Sequence, residues 1–315
     1  MLRNKFKPYK ALAIIASLIF ASVFAPPAEA KKKKKDKTQE VIESPVPAEE
    51  IEVAVEEIGF DPDSLFFADV DPDAIRKEAL GAILPNYREW HTAMLNGKLR
   101  LQGLPISPSI KIFMQKGQKI SISVRASIMG EVARIDLSGD SILAVNKMKR
   151  TYCLESIGNL RYDYPGLIND IQSLLLGRVV ILQVGELTAD NSEALDYTAG
   201  DPYDENSYWY LDFPKNRTET DDFTYRYTIT SAGEISKMLV ALAAGEHDYA
   251  LNLDYTYSSR NRDMDITFCK DDTPKFSTRI AFDAVEWEAK PLSPIELTSK
   301  FTQLGIKDFI RSFKF

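Results

Sequence analysis

Two cysteines and two histidines in 315 residues leave little material for metal or thiol chemistry. His91 and His247 have no Cys, His or carboxylate neighbours at zinc-ligand spacing. No glycine-rich phosphate loop, G-x-S-x-G elbow or H-E-x-x-H helix is present. Asp69–Asp73 places acids at alternate positions as a calcium loop does. However, Ala74 stands where that loop needs Gly, and Leu80 where it needs a bidentate Glu. The paired acids Asp221-Asp222 and Asp271-Asp272 read as solvated turns, since acid/base work needs carboxylates converging in a pocket. The sequence therefore offers no catalytic residue, no metal site and no cofactor, and argues against an enzyme.

Charge is divided unevenly along the chain. Residues 1–37 carry ten Lys/Arg against Glu29 and Asp36, a net +8, which leaves −15 on the remainder of a chain totalling −7. A body so acidic repels phosphate backbones, so nucleic acid is not an expected partner. The basic start belongs to a recognisable order of features. Arg3, Lys5, Lys7 and Lys10 precede the apolar run Ala11–Ala25, and Ala28-Glu29-Ala30 supplies small residues for cleavage. This is the pattern of a secretory signal peptide over residues 1–30. The run is shorter than the ~20 residues a spanning helix needs, although Lys31–Lys35 directly after it would hinder translocation. With no cysteine beside the run, a lipoprotein anchor is not expected either. The chain reads as exported, to the periplasm or cell envelope. In that oxidising compartment Cys153 and Cys269 can pair; the alternative is two buried thiols on separate strands.

Residues 31–68 read as a charged, low-complexity linker. A domain follows over 69–300, and an amphipathic, basic tail over 301–315. Asp71 caps a helix whose first residue is Pro72 and whose body is Ala74–Leu84. A second short helix is expected after Pro85, packing Tyr87, Trp90, Met94 and Leu95 and ending at Asn96-Gly97. The period then becomes two. Ile110, Ile112 and Met114 form one strand face, and Ile120, Ile122 and Val124 another, around a turn at Lys116-Gly117-Gln118. Strands at 132–136, 142–146 and 151–154 continue as an antiparallel meander. Pro165–Leu176 is a helix with Leu167, Ile168, Ile171, Leu174 and Leu175 on one face and Gly177 as its cap. Alternation returns at Phe223–Ile229, Leu251–Tyr257 and Met264–Phe268. Ile280 and Phe282 differ in parity from Val285 and Trp287, which predicts a bulge near Asp283–Ala284. Thr188–Asn206 reads as a long acidic loop. The fold class is α+β, mostly antiparallel β: one continuous sheet with a helix laid on it.

Several segments resemble a known family. They are Asn96–Leu101 after Trp90, the strand Ser121–Ala126, Val132–Ile135 with Ser141-Ile142, the helix end Asp170–Gly177, and the proline-containing exit Phe282–Leu297. Their order resembles a DUF4292-type family of Bacteroidota envelope proteins. That family is itself similar to the periplasmic lipoprotein carrier LolA and the outer-membrane receptor LolB. The resemblance implies a curved sheet or incomplete β-barrel closed by helices, whose concave face takes acyl chains, over about residues 85–300. The chain departs from it in lacking a lipobox cysteine and in carrying the charged linker.

Two functions follow as expectations. The first is a carrier or chaperone that binds a lipid, or the acyl chains of an acylated protein, in an apolar cavity. Its liners would be Ile110, Ile112, Met114, Ile120, Ile122, Val124, Leu251, Leu253, Tyr255, Ile280 and Phe282. Leu167, Ile168, Ile171, Leu174 and Leu175 would form its lid, and Arg125 and Arg134 its polar rim. The second is a non-enzymatic envelope protein with a filled core. Its acidic loop Asp190–Asn206 and its tail Ile306–Phe315 would then meet other envelope proteins or a membrane surface. Periodicity does not separate a filled core from an open one.

Overall fold

The computed structural model describes residues 71–101, 107–139, 141–156, 166–182, 184–201, 203–214, 223–244, 246–258 and 261–312. The signal-peptide reading, the linker, Asp140, Pro165, Asp221-Asp222 and the last three residues of the tail lie outside them. The described residues from Pro72 onward belong to one compact unit.

Helix α1 (Pro72–Ile83) opens this unit, and a 3-10 turn follows at Leu84–Asn86. Then come ten-residue β1 (Thr92–Leu101), β2 (Ser109–Gln115), β3 (Lys119–Ala126), β4 (Gly130–Ser138), β5 (Ser141–Asn146) and β6 (Thr151–Ser156). Helix α2 (Leu167–Leu175) leads into the two-residue pair β7 (Val180–Ile181) and β8 (Gly185–Glu186). A second meander follows: β9 (Asp196–Ala199), β10 (Trp209–Phe213), β11 (Phe223–Ile229), β12 (Ile235–Ala244), β13 (His247–Tyr257), β14 (Arg262–Lys270) and β15 (Thr273–Phe282). Short β16 (Glu286–Trp287), β17 (Thr302–Gln303) and α3 (Ile306–Arg311) close the chain.

Apart from β7 and β8, the strands form one 15-stranded sheet in the order β17-β6-β5-β4-β3-β2-β1-β15-β14-β13-β12-β11-β10-β9, with β16 alongside β1. All its pairings are antiparallel except that of β17 on β6. The architecture is thus strand-rich, mostly antiparallel and sparing in helices. Among the described strands the sheet does not close into a barrel: β17 and β9 are its outer members. β1 to β6 and β9 to β15 are each runs of neighbours in sequence, the long pairing of β1 with β15 joins them, and short β16 and β17 add further long-range pairings on β1 and β6.

Several expectations need correction. The helix expected after Pro85 is absent: Tyr87–Trp90 is irregular and Met94–Gly97 lies inside β1. Ala93, Leu95 and Leu99 are fully buried at period two, and that burial overrides the helical spacing of Trp90 and Met94. Gly97 is therefore mid-strand. A Cβ there would approach the Ala281 carbonyl oxygen to 2.5 Å, so the close passage of β15 requires glycine. The acidic loop Thr188–Asn206 contains the strand β9, short and on the sheet's rim. The bulge expected near Asp283–Ala284, by contrast, has its counterpart: between the Phe282–Gly97 and Glu286–Met94 pairs, residues 283–285 stand against 95–96, one residue in excess, as β15 gives way to β16. Cys153 on β6 and Cys269 on β14 are free thiols on strands far apart in the sheet order. In the tail, Phe309 is fully buried in the core, which ties α3 to β6.

Candidate functional site

Cross-strand register builds one apolar face. Ile135, Ile122, Ile112 and Leu95 stand opposite one another across β4, β3, β2 and β1. Leu99, Ile280, Met264 and Tyr255 continue across the central seam, and Ile266, Leu253, Met238 and Tyr227 across the second meander. Because strand side chains alternate, every residue of these rows points to the same side. All the liners expected from the sequence lie on this face, from Ile110 and Met114 to Leu251 and Phe282, and all are buried. The face is covered: α2 buries Leu167, Ile168, Ile171, Leu174 and Leu175 in the same core.

The cover is tied down by polar bonds that periodicity does not reveal. Gln172 Nε2 donates to the carbonyls of Gln115 (2.8 Å) and Lys119 (2.9 Å), while its Oε1 accepts from Gly117 N at 2.9 Å. These bonds fix α2 to the β2–β3 turn. Tyr255 Oη donates to Leu174 O at 3.0 Å, a second bond to a carbonyl that also accepts from Gly177 N. Tyr227 Oη donates to Val180 O (3.0 Å) and accepts from Val180 N (3.3 Å). Tyr225 Oη accepts from Leu182 N at 3.1 Å, and Tyr87 Oη from Val179 N at 2.8 Å. Burial pushes the Tyr87, Tyr225, Tyr227 and Tyr255 phenols well above their usual range, so they remain neutral hydroxyls. Arg178 adds an ion pair to Glu186 at 2.9 Å and a bond to the Arg88 carbonyl.

At the rim of the face stands Arg262, the first residue of β14, opposite Phe282 on one side and Tyr257 on the other. Its guanidinium carbon lies 5.7 Å from the Phe282 ring centre, and Nη2 donates to the carbonyl of Leu175 at the end of α2. The two arginines expected at the rim are elsewhere. Arg134, 3% exposed, projects from the opposite face, paired with Asp136 (2.9 Å) and Glu131 (3.4 Å) and donating to Ser293 O. Parity explains this, since Arg134 sits between the inward Ala133 and Ile135. Arg125 is exposed beside a register shift in β3. The segment leaving β16 crosses this second face, packing Ala289 and Leu292 on Met94 and Phe113. A cavity of about 320 Å³ is lined by Asn96, Lys98, Ser109, Lys111 and Asp283, with Gly97 and Ile110 contributing beneath. Asn261 and Ala281 complete its lining, in which six of the nine residues carry polar or charged side chains.

No family model matches the sequence, and neither does any curated protein. Solved structures give distant likenesses. A DUF1329 family protein from Desulfovibrio piger is 9% identical over 71% of this chain and 96% of its own, with TM-score 0.41. An outer membrane lipoprotein-sorting protein domain from Vibrio parahaemolyticus is 8% identical over 77% and 98%, with TM-score 0.40. A LolA superfamily protein from Nitrosomonas europaea is 8% identical over 70% and 96%, with TM-score 0.35. The likeness is one of outline. Ligand, partner and location have to be argued from the chain itself.

Proposed function

We propose that the protein is an exported carrier or chaperone of the cell envelope that holds a lipid, or the acyl chains of an acylated protein, between the apolar sheet face and α2. One observation carries the reading: the layer over that face is attached along residues 172–182 by side-chain hydrogen bonds, those of its own Gln172 to the β2–β3 turn and those of Tyr87, Tyr225, Tyr227 and Tyr255 to its backbone. Buried backbone groups are hydrogen-bonded in filled and open cores alike; what favours the carrier here is that several of the partners are single side chains rather than a continuous ladder. Hydrogen bonds exchange with water at little net cost, so a cover held this way can lift and let an acyl chain take its place. Curvature of the sheet around the chain belongs to this proposal. No helix among the described residues is long and apolar enough to cross a membrane, and transport of lipid by a soluble form is the mode the reading adopts.

A second reading is favoured by the burial of every expected liner: α2 is then a permanent layer and the protein a structural or interaction component of the envelope. Native mass spectrometry of the full chain purified from its own envelope separates the two. Stoichiometric co-purified lipid, together with faster amide exchange at 172–182 on uptake of a fluorescent fatty-acyl probe, supports the carrier. A bare polypeptide mass with no probe uptake overturns it in favour of the filled core.

A further inference from the structure

Arg262 is a cation on an apolar face without an ion-pair partner among the described residues. Its register neighbours are Phe282 and Tyr257, its row continues through Gly97 and Ile110 to Val124, and its one hydrogen bond among the described residues goes to the neutral Leu175 carbonyl. Arg262 Nε is out of reach of solvent and makes no hydrogen bond to any described residue, and the same is true of the Tyr257 hydroxyl. The guanidinium and the hydroxyl converge through Nη1. A Cβ placed on Gly177, whose φ of +70° requires glycine, would lie 2.7 Å from Arg262 Nη1 and 2.9 Å from Tyr257 Oη. Glu234 faces Arg262 from the β11–β12 turn without forming an ion pair, and burial raises its carboxyl above the usual range. A buried charge is ordinarily paired, because an unpaired one costs several kcal/mol of lost hydration. Arginine's planar fork is suited to two oxygens of one anion.

We propose that Arg262 and Tyr257 receive the anionic head, a carboxylate or a phosphate monoester, of an amphiphile whose chain lies against Phe282, Ile280 and Met264. This rests on the carrier reading and adds the class of head group. Two oxygens of the head take the Nη1–Nη2 end, and a third bond comes from the Tyr257 hydroxyl beside Nη1. In taking Nη2 the head displaces the Leu175 carbonyl, so binding at the rim loosens the C-terminal end of α2 where the chain must enter. Neutral amphiphiles gain none of these bonds and leave the arginine as it stands.

The test is a binding comparison on the full chain with three probes of one chain length: oleate, oleoyl lysophosphatidate and monoolein. Oleate, the phosphate, or both should bind at least tenfold more tightly than monoolein, and the pattern tells which oxyanion the site prefers. Arg262→Gln keeps a donor for Leu175 O but no charge, and should bring the probes to equal affinity. Tyr257→Phe should lower the anion preference several-fold. Equal binding of oleate, lysophosphatidate and monoolein by the unaltered protein overturns the head-group site and leaves the carrier reading intact; that comparison needs no variant to fold. Anion preference that survives in a folded Arg262→Gln protein also overturns it. Failure of every probe to bind overturns both proposals.

Discussion

The tyrosine ties make a sharp prediction at Val180. Leu187 N donates to Val179 O, which makes residues 179 and 187 a hydrogen-bonded pair of the β7–β8 ladder. By alternation, Val180 opposite Glu186 turns its N–H and C=O away from β8, and among the described residues Tyr227 Oη is the side chain that bonds both, accepting from the N–H and donating to the C=O. Tyr227→Phe keeps the ring and leaves two polar groups of a fully buried residue without a partner. Each such group costs about 1–3 kcal/mol, and the longer 3.3 Å bond takes the low end, so the sum is about 2–4 kcal/mol. At 1.4 kcal/mol per decade, amide protection over residues 179–182 should fall about 30- to 1000-fold. Hydrogen exchange with mass spectrometry reads this directly, with Tyr203→Phe, 91% exposed, as the control. Protection in β2, β3 and β12 should change far less. Unchanged exchange at 179–182, or an equal loss throughout the sheet, would refute the idea of a separately tied cover.

Arg134→Ala strips two carboxylates of their buried guanidinium and should cost about 3 kcal/mol, seen as a lower urea midpoint; a loss under ~1 kcal/mol would contradict the network. Burial alone would raise the Glu131 carboxyl, but hydrogen bonds from Lys147 and Ser123 and the charges of Lys147 and Arg134 hold it below its usual 4.5. Its contribution is therefore present above that value and is lost as pH falls below it, so Glu131→Gln should flatten the stability profile in that acid range. Burial, assisted by Glu155, pushes the Cys153 thiol up to about 11, so alkylation at pH 8 should proceed only as fast as the strand opens. Rapid modification of Cys153 in the folded protein would place it at the surface.

What the sequence shows best is what alternation encodes. Ile110 through Val124 and Leu251 through Tyr255 announce both their strands and their shared face, because period two survives wherever one side of a sheet is dry. Phe223–Ile229 likewise announces a strand, but nothing local states that Tyr225 and Tyr227 reach across to a segment some 45 residues earlier. Strands β9 and β12 are harder. Asp196–Ala199 is short and polar at the rim, and Ile235–Ala244 carries apolar residues on both parities. Arg262 was legible in principle, since it shares parity with Met264, Ile266 and Phe268 and so breaks an apolar row. Gln172 breaks the apolar stripe of α2 in the same way. A polar residue in a position the pattern reserves for the core is the signal that would have found both.

The pairing of β1 with β15 also sets the order in which the molecule is completed. Thr278 Oγ1 donates to Arg100 O across 178 residues, whereas nearly every other strand finds its partner next to it in the chain. β1 to β6 can zip together as they emerge, yet β1 then presents a bare row of amides and carbonyls until β15 has been made and delivered. An open, ten-residue edge of this kind recruits other strands. Contact between distant parts of a chain is slow to form. The vulnerable interval for this protein is therefore the time between the appearance of its two halves, and a holding chaperone acting on β1 would shorten the list of ways in which it can misassemble.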